Sequence, residues 1–230
     1  MSASDDCTGL LSPIMGNWRP SKHGAPQQLS TSTARGEATR ARIVKAAAGI
    51  VGARGVAATT VEEVMEASGT SKSQIYHYFA DKETLMCAVV AAQAEQVLGF
   101  QEARLSKATS MQDLRQWRNQ IVKLNRAKSG LGGCPIGSLA SELADHSEKA
   151  RELLALSFRR WESHLVTAFK AMQRRGVLDT TANARSLATA VVCALQGGLL
   201  LAQTTRSSRS LEIALDMALD HVASHCVKVT

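Results

Sequence analysis

Apolar residues recur at helical spacing along nearly the whole chain from residue 37 onward, and this pattern restricts the fold more than any other feature. The segment ATRARIVKAAAGIVGARG places apolar side chains on one helix face, at Ile43, Ala46, Ala47, Ile50 and Val51. In residues 147–175 the same spacing recurs at Leu154, Phe158, Trp161, Leu165, Ala168 and Met172. No segment shows the alternation of a half-buried strand, and we find no internal repeat. The sequence therefore predicts an all-α fold.

Residues that begin and end helices divide this pattern into segments. The predicted starts are Thr39, Thr60 with the capping-box residue Glu63, Ser71, Asp81, Ser110 with Asp113, and Ser138. The predicted stops are Gly55, Gly69 and Gly176. The longest predicted helices cover residues 82–106, 147–175, 181–205 and 209–226.

Three helices fall within about 45 residues, and the short linker SGTS joins the second to the third. This arrangement is typical of a helix-turn-helix, whose turn needs a glycine at positive φ, and Gly69 is placed there. Ile75 and Phe79 would then face inward. The opposite face of the third helix would present groups that hydrogen-bond phosphates and base edges: Ser71, Lys72, Ser73, Gln74, Tyr76 and His77. The alternative from spacing alone is an ordinary aromatic turn between helices.

Composition and charge are compatible with a nucleic-acid partner. The 230 residues carry a formal net charge of +7 and a pI of about 9.4, which either an anionic partner or plain solubility explains. The five cysteines are scattered without a CxxC pair, so we expect no disulfide scaffold or zinc site, and a reducing cytoplasm. We expect no secretory signal and no membrane-spanning segment.

Catalytic and metal-binding motifs are missing from the sequence. It contains no GxSxG, no phosphate-binding glycine loop and no HExxH, so we predict neither an enzyme nor a cofactor. His221 and His225 lie one helical turn apart beside Cys226. We interpret them as a pair of surface histidines, and the alternative is that they form part of a metal site.

Residues 59–85, TTVEEVMEASGTSKSQIYHYFADKETL, closely resemble the DNA-binding segment of the TetR family of transcriptional regulators. The matching residues are Thr59, Thr60, Val61, Val64, Ala67, Gly69, Ser71, Ile75, Tyr76, Tyr78, Phe79, Lys82 and Leu85. TRARIVKAAAGIVGARG also resembles the first helix of that family. Thr70, Ser73 and Gln74 depart from the usual family residues, and Ser73 and Gln74 lie on the presumed base-reading face.

The resemblance implies a helix-turn-helix domain over residues 35–81 and a helical ligand-binding and dimerisation domain over residues 82–230. Residues 1–34 have the composition of a disordered tail. The resemblance assigns phosphate contacts to Thr60, Tyr76, His77 and Lys82, and Tyr78 joins them as a candidate DNA-binding residue. Gln74 is a candidate for a bidentate contact to adenine.

The segment GGCPIGSLASEL, residues 132–143, is similar to an element found in a subset of these regulators, and we expect it to pass ligand-driven movement toward the DNA-binding domain. Cys134 within it is either a reactive thiol or a small buried apolar group. The candidate ligand contacts could equally form the core. They are Trp117, Cys134, Phe158, Trp161, Leu165 and Phe169.

Residues 187–202 and the helix after them are apolar enough to pair with a second copy, with Gly197 and Gly198 permitting close approach. The predicted function is therefore a dimeric regulator, a repressor released from a palindromic operator by a small molecule. One alternative keeps DNA binding but replaces the small molecule with oxidation or alkylation of Cys134. The other alternative is a helical enzyme or interaction module.

Overall fold

The computed structural model describes residues 33–227, and 77% of these described residues are helical. Within the described residues the only strand-like pairing is an isolated bridge between Leu178 and Cys226. The all-α prediction is confirmed. The helices are α1 (Ala34–Arg54), α2 (Val61–Ser68), α3 (Lys72–Tyr78), α4 (Lys82–Leu105), α5 (Met111–Ala127), α6 (Pro135–Leu143), α7 (Glu148–Arg174), α8 (Ala184–Thr205) and α9 (Arg209–Ser224). The tail predicted for residues 1–34 lies, apart from its last two residues, outside the described part.

Most of the predicted helix limits are observed. Capping boxes begin α2, α3 and α5, and Gly55, Gly69 and Gly176 have positive φ after α1, α2 and α7. Two predicted starts are wrong. The N-cap of α1 is Thr33, and the hydroxyl of Thr39 donates to the Arg35 carbonyl inside the helix. Helix α6 begins at Pro135 rather than Ser138, because proline favours the first helical position.

The chain divides into two compact units by packing. Of the described residues, the first unit contains 33–93 and Leu139–Leu153, and the second contains Ala94–Ser138 and 154–227. Helices α4, α6 and α7 therefore each contribute residues to both units. The predicted domains, residues 35–81 and 82–230, stay a prediction; in this division by packing, the starts of α4 and α7 and the end of α6 belong to the first unit.

The first unit is built around α1, α2 and α3. Its core includes Ile43, Ala47, Val64, Ile75 and Phe79, each with no exposed surface. The predicted inward faces of α1 and α3 are confirmed. Ala46 and Ile50, predicted on the same face of α1, are only half-buried.

In the second unit, α8 and α9 pack against each other at close range. A Cβ atom on Gly198 would lie 2.8 Å from Leu211 Cα, so glycine is needed at this contact. A Cβ on Gly197 would meet nothing within 4 Å. The prediction that both glycines permit close approach is therefore confirmed within the chain for Gly198 only.

Three glycines of the segment before and within α6 lie directly on α8. A Cβ on Gly130 would lie 2.5 Å from the carbonyl oxygen of Ala202, and a Cβ on Gly137 would lie 2.7 Å from Gln196 Oε1. Gly133 faces Gln203 in the same way. The glycine-rich sequence is therefore explained by close packing on α8.

Helix α8 is the one helix within residues 33–227 that is long and apolar enough to cross a membrane by length and composition. The expectation that no apolar segment is long enough to cross a membrane is therefore wrong by length and composition. A core helix of a soluble protein can reach the same limit, and 39% of the α8 window is buried within this chain. The remainder of its apolar surface includes Leu200 and Leu201, which are 64% and 53% exposed.

Candidate nucleic-acid interface

Helix α3 presents a polar face to solvent and an apolar face to the first unit. Ser71, Lys72, Ser73, Gln74 and His77 are exposed, whereas Tyr76 and Tyr78 are half-buried. Ile75 and Phe79, on the other face, have no exposed surface. The sequence-predicted residues Ser71–Gln74 and Tyr76–Tyr78 are thus brought together on one short, anchored helix.

The turn before α3 is held by a glycine and a buried pair of hydroxyl groups. Gly69 has φ 63° and ψ 36°, the left-handed conformation that the helix-turn-helix prediction requires. Thr70 is 8% exposed, and its hydroxyl lies 2.6 Å from the Ser68 hydroxyl, which donates to the Val64 carbonyl. Thr70 can therefore donate to Ser68, so a polar residue is satisfied where the family usually has valine.

The capping box of α3 uses one of the predicted base-reading residues. Gln74 Oε1 accepts a hydrogen bond from the Ser71 backbone N–H at 2.9 Å, and the Ser71 hydroxyl accepts one from the Gln74 backbone N–H at 3.2 Å. A bidentate contact to adenine uses both the oxygen and the nitrogen of the amide. Because the oxygen already accepts one bond, its second lone pair would have to serve the base.

Thr60 occupies the N-cap of α2, the helix that precedes the turn and α3 in the sequence. Its side chain is part of a capping box with Glu63, and Glu63 also pairs with Arg54 at 2.5 Å. The hydrogen bond from the Thr60 backbone N–H, and then Arg54, lower the pKa of the Glu63 carboxyl. Glu63 is therefore held as an anion that fixes the start of α2.

Lys82 differs from the other predicted DNA contacts because it is buried. The residue is 5% exposed at the first position of α4, and burial lowers the pKa of its ammonium group while the charge of Glu142 opposes that shift. With so little exposed surface, Lys82 offers less to a phosphate than the exposed residues of α3 do. We therefore leave Lys82 out of the interface that we propose below.

Glu142 of α6 is the residue that holds the turn after α1. Its Oε2 accepts a hydrogen bond from the Val56 backbone N–H at 2.6 Å, and a Cβ on Gly55 would lie 2.8 Å from the same oxygen. Val56 itself has no exposed surface. Glu142 thus satisfies a backbone donor of the first unit and faces the buried Lys82. Sequence reasoning missed this role, although Glu142 belongs to the quoted segment of residues 132–143.

The candidate ligand contacts are mostly buried in the second unit. Trp117, Trp161, Leu165 and Phe169 are at most 2% exposed, Cys134 is 7% exposed and Phe158 is half-buried. Trp117 Nε1 donates to Gln101 Oε1 at 2.7 Å, whereas Trp161 Nε1 has no hydrogen-bond partner. Burial alone does not distinguish core from ligand contact for these residues, so their assignment stays a prediction.

Cys134 immediately precedes α6, and its thiol is engaged. Gln196 Nε2 of α8 donates to Cys134 Sγ at 3.4 Å. Gln196 was missed by sequence reasoning; as the one amide side chain within the apolar run LATAVVCALQGGLLLA, it could have been found. Burial and this contact favour the interpretation of Cys134 as a packed residue over a reactive thiol.

The two C-terminal histidines do not form a metal site with other residues. Their ring centroids lie 5.1 Å apart in an edge-to-face arrangement. Across residues 33–227, no group of three or more His, Cys, Asp or Glu side chains is placed to hold an ion.

Two family models match the chain, and together they cover about two thirds of it. Residues 43–89 match the bacterial regulatory proteins of the tetR family, and residues 110–217 match the C-terminal domain of LmrA/YxaF-like transcriptional regulators. The first match contains the exposed helix α3 and its turn. The chain belongs to the TetR family of transcriptional regulators.

Curated relatives of this TetR-family chain are also regulators. The chain is 26% identical over 181 residues to the uncharacterized HTH-type transcriptional regulator YxaF of Bacillus subtilis, covering 78% of this chain and 92% of that protein. It is 27% identical over 192 residues to the HTH-type transcriptional regulator BetI of Rhizobium meliloti, covering 81% and 88%. TetR-type regulators are not enzymes, and the prediction of no enzyme is confirmed.

Solved structures show the same fold. A TetR-family regulator from Cytophaga hutchinsonii superposes with a TM-score of 0.75 at 20% identity, covering 88% of this chain and all of that one. A TetR regulator from Chloroflexus aurantiacus superposes with a TM-score of 0.71 at 25% identity, covering 84% and 98%. The predicted TetR resemblance is therefore confirmed by sequence and by fold.

Proposed function

We propose that this TetR-family chain is a cytoplasmic repressor that binds a palindromic operator as a homodimer and is released by a small molecule. The observation that carries the proposal is the exposure of α3, with five polar residues at the surface and Ile75 and Phe79 fully buried. A short helix anchored in this way can enter a major groove without disturbing its own domain.

The proposed contacts divide into two groups. Ser71, Lys72, Ser73 and Gln74 lie in the first turn of α3, the part of a recognition helix that reaches base edges. Thr60, Tyr76, His77 and Tyr78 are proposed to hold phosphates through hydroxyl and imidazole groups. The net charge of +7 supports binding to a polyanion.

The proposed dimer uses α8 and α9. Leu200 and Leu201 of α8 and Ile213 and Met217 of α9 are all about half exposed or more, with Met217 at 69%. Several large apolar side chains exposed on two helices that pack together are typical of an interface. Two recognition helices related by a two-fold axis suit an operator with two half-sites.

The proposed effector acts through the second unit, where Trp117, Phe158, Trp161, Leu165 and Phe169 are the candidate contacts. Helix α6 contributes residues to both units, and its Glu142 holds the Val56 backbone N–H. We propose that ligand binding shifts α6, and that this shift lowers the affinity of the first unit for the operator.

Selection of bound duplexes from a random pool, followed by measurement of affinity against salt, tests this function. We expect a palindromic sequence to be enriched, with affinity that falls steeply as salt rises because bound phosphates release counterions. A scrambled duplex of the same composition is the control for sequence-independent binding. Failure of any duplex to bind at low salt would contradict the proposal.

A further inference from the structure

The two fully buried tryptophans of the second unit differ in whether the indole N–H is bonded. Trp117 is 1% exposed and donates to Gln101 at 2.7 Å. Trp161 is 2% exposed and its Nε1 has no acceptor. A buried donor without a partner loses its hydrogen bonds to water and gains nothing in exchange. The sequence could have placed a phenylalanine here without that loss.

Two other buried polar atoms in the described residues lack a partner, and neither resembles Trp161. Arg118 Nε belongs to a guanidinium group whose terminal nitrogens already bond Asn119 and Asp216, the latter at 2.6 Å. Asn125 Oδ1 is an acceptor on α5. Trp161 Nε1 is therefore the buried donor whose whole hydrogen-bonding capacity is unused.

Along α7, the buried neighbours of Trp161 are apolar on its C-terminal side and include one serine on its N-terminal side. Leu165 and Phe169, one and two turns further on, have no exposed surface, and Ser157, one turn earlier, is 6% exposed. Among the described residues of the second unit, the polar residues that are buried as a whole are Gln101, Asn125 and Ser157, and none is charged. The charged side chain with a buried atom, Arg118, is already paired with Asp216. A ligand carboxylate or ammonium entering this interior would be desolvated without a counter-ion.

We propose that Trp161 Nε1 donates a hydrogen bond to a carbonyl or ether oxygen of a neutral, predominantly apolar effector. This inference rests on the proposed effector response and names its ligand class: an uncharged ketone, amide, ester or ether with an aromatic or alicyclic body. The indole of Trp161 selects the oxygen, and the apolar side chains of α7 hold the body.

The test compares ligands that differ by one oxygen atom, bound to the full chain without DNA. The pairs are acetophenone with ethylbenzene and 2-acetylnaphthalene with 2-ethylnaphthalene, and benzoate serves as the charged counterpart. We expect at least one ketone to bind about tenfold more tightly than its hydrocarbon, because one hydrogen bond of about 1.4 kcal/mol corresponds to a factor of ten in Kd. Benzoate is expected to bind more weakly than acetophenone.

A spectroscopic measurement on the unaltered protein identifies the donor. With 15N-labelled indole groups, the Trp161 N–H proton should move downfield on addition of the bound ketone and should not do so with the hydrocarbon. The Trp117 N–H proton, already bonded to Gln101, is the internal reference.

Two matched substitutions complete the test. Trp161→Phe removes a donor that has no partner, so its melting temperature should be close to that of the original chain while the ketone preference disappears. Trp117→Phe leaves the Gln101 side chain without its partner, so it should melt at a lower temperature and keep the ketone preference.

Three results would overturn the inference: no ketone advantage in either pair, an advantage that persists in Trp161→Phe, or an unchanged Trp161 N–H signal. The proposed operator binding is measured separately. A Trp161-dependent ketone preference in a chain that binds no duplex would reject the repressor and leave this site standing. Operator binding without any ketone preference would reject this site and leave the repressor proposal standing.

Discussion

At the scale of single residues, Gln74 has two competing tasks. Its amide oxygen accepts the Ser71 backbone N–H and so fixes the start of α3, while its exposed amide nitrogen remains to donate. A donor alone suits the acceptors of guanine, the O4 atom of thymine or the N7 atom of adenine, whereas the bidentate contact to adenine requires the oxygen as well. We therefore expect Gln74 to contribute one donated bond rather than the bidentate adenine contact that the sequence predicts.

Gln74→Glu separates these two tasks. Glutamate keeps an acceptor for the Ser71 N–H at the third position of a capping box but removes the donor. We expect base preference at one operator position to fall by about 1–3 kcal/mol in Gln74→Glu and Gln74→Ala, with α3 less stable only in the alanine variant. Duplex selection and thermal unfolding measure the two effects, with Ser73→Ala as the neighbouring control. Unchanged base preference in both variants would exclude Gln74 from base contact.

Glu142 supports the first unit through a backbone donor and a buried lysine. Glu142→Ala leaves the buried Val56 N–H without its acceptor, and we expect a loss of about 1–3 kcal/mol in the free energy of unfolding. Glu142→Gln keeps an acceptor oxygen and should lose less. Urea unfolding at pH 7.5 compares them. Equal losses in the two variants would show that the hydrogen bond is not the cause.

Glu142→Ala should also change how the stability of the chain depends on pH. Burial lowers the pKa of Lys82 in the folded chain, so the folded state binds fewer protons than the unfolded state between that pKa and the ordinary value of 10.5. Stability from this group therefore rises as pH rises through that range. Because Glu142 opposes the shift, its removal lowers the pKa of Lys82 further, and Glu142→Ala should gain more stability between pH 7.5 and 9.5 than the original chain.

At the scale of helices, local signals predicted the starts of α2, α3 and α5 because each capping box is formed by two residues within one turn. The start of α1 was missed because Thr33 and Thr39 are equally good caps by type, and the structure shows that Thr33 is the one whose side chain accepts the Gly36 N–H. The burial of Lys82 was missed for a different reason. It depends on tertiary packing around the start of α4, where even the charge of Glu142, sixty residues away in sequence, acts on Lys82, and no local pattern reports such packing.

The glycines of the second unit show why helix pairing is harder to predict than helix position. Sequence marks Gly197 and Gly198 equally, but only Gly198 meets α9 within the chain. We expect Gly198→Ala to destabilise the second unit by about 1–3 kcal/mol, since Leu211 Cα, at 2.8 Å from the new methyl group, is backbone and must shift. Thermal unfolding measures this effect.

The matched control is Gly99→Ala in α4. A Cβ there meets nothing within 4 Å, and alanine is favoured over glycine within a helix by about 1 kcal/mol. Both substitutions replace a helical glycine with alanine, but Gly198→Ala should lower the free energy of unfolding and Gly99→Ala should raise it. A stabilising Gly198→Ala would show that α8 and α9 can separate without loss.

At the scale of the whole molecule, the proposed dimer depends on one exposed surface of α8 and α9. Helix α9 buries Leu211, Leu215, Leu219 and Val222 and directs its acidic residues to arginines of α5, as in the 2.6 Å pair of Asp216 with Arg118. Ile213 and Met217 remain exposed on it, as do Leu200 and Leu201 on α8. The chain therefore uses one face of α9 for its own core and another for ion pairs with α5, and the exposed face includes two large apolar side chains.

Met217→Glu places a charge on the most exposed of these apolar residues. A buried carboxylate without a partner opposes association, so we expect the variant to sediment as a monomer at concentrations where the original chain is a dimer. Leu156→Glu is the control, because Leu156 is 48% exposed on α7 and lies outside the proposed interface. Operator affinity should fall in Met217→Glu alone, since each headpiece would then bind one half-site without help from its partner. A monomeric variant that retains full affinity for the palindrome would mean that the operator is read by single chains, and a variant that remains dimeric would place the interface on another surface.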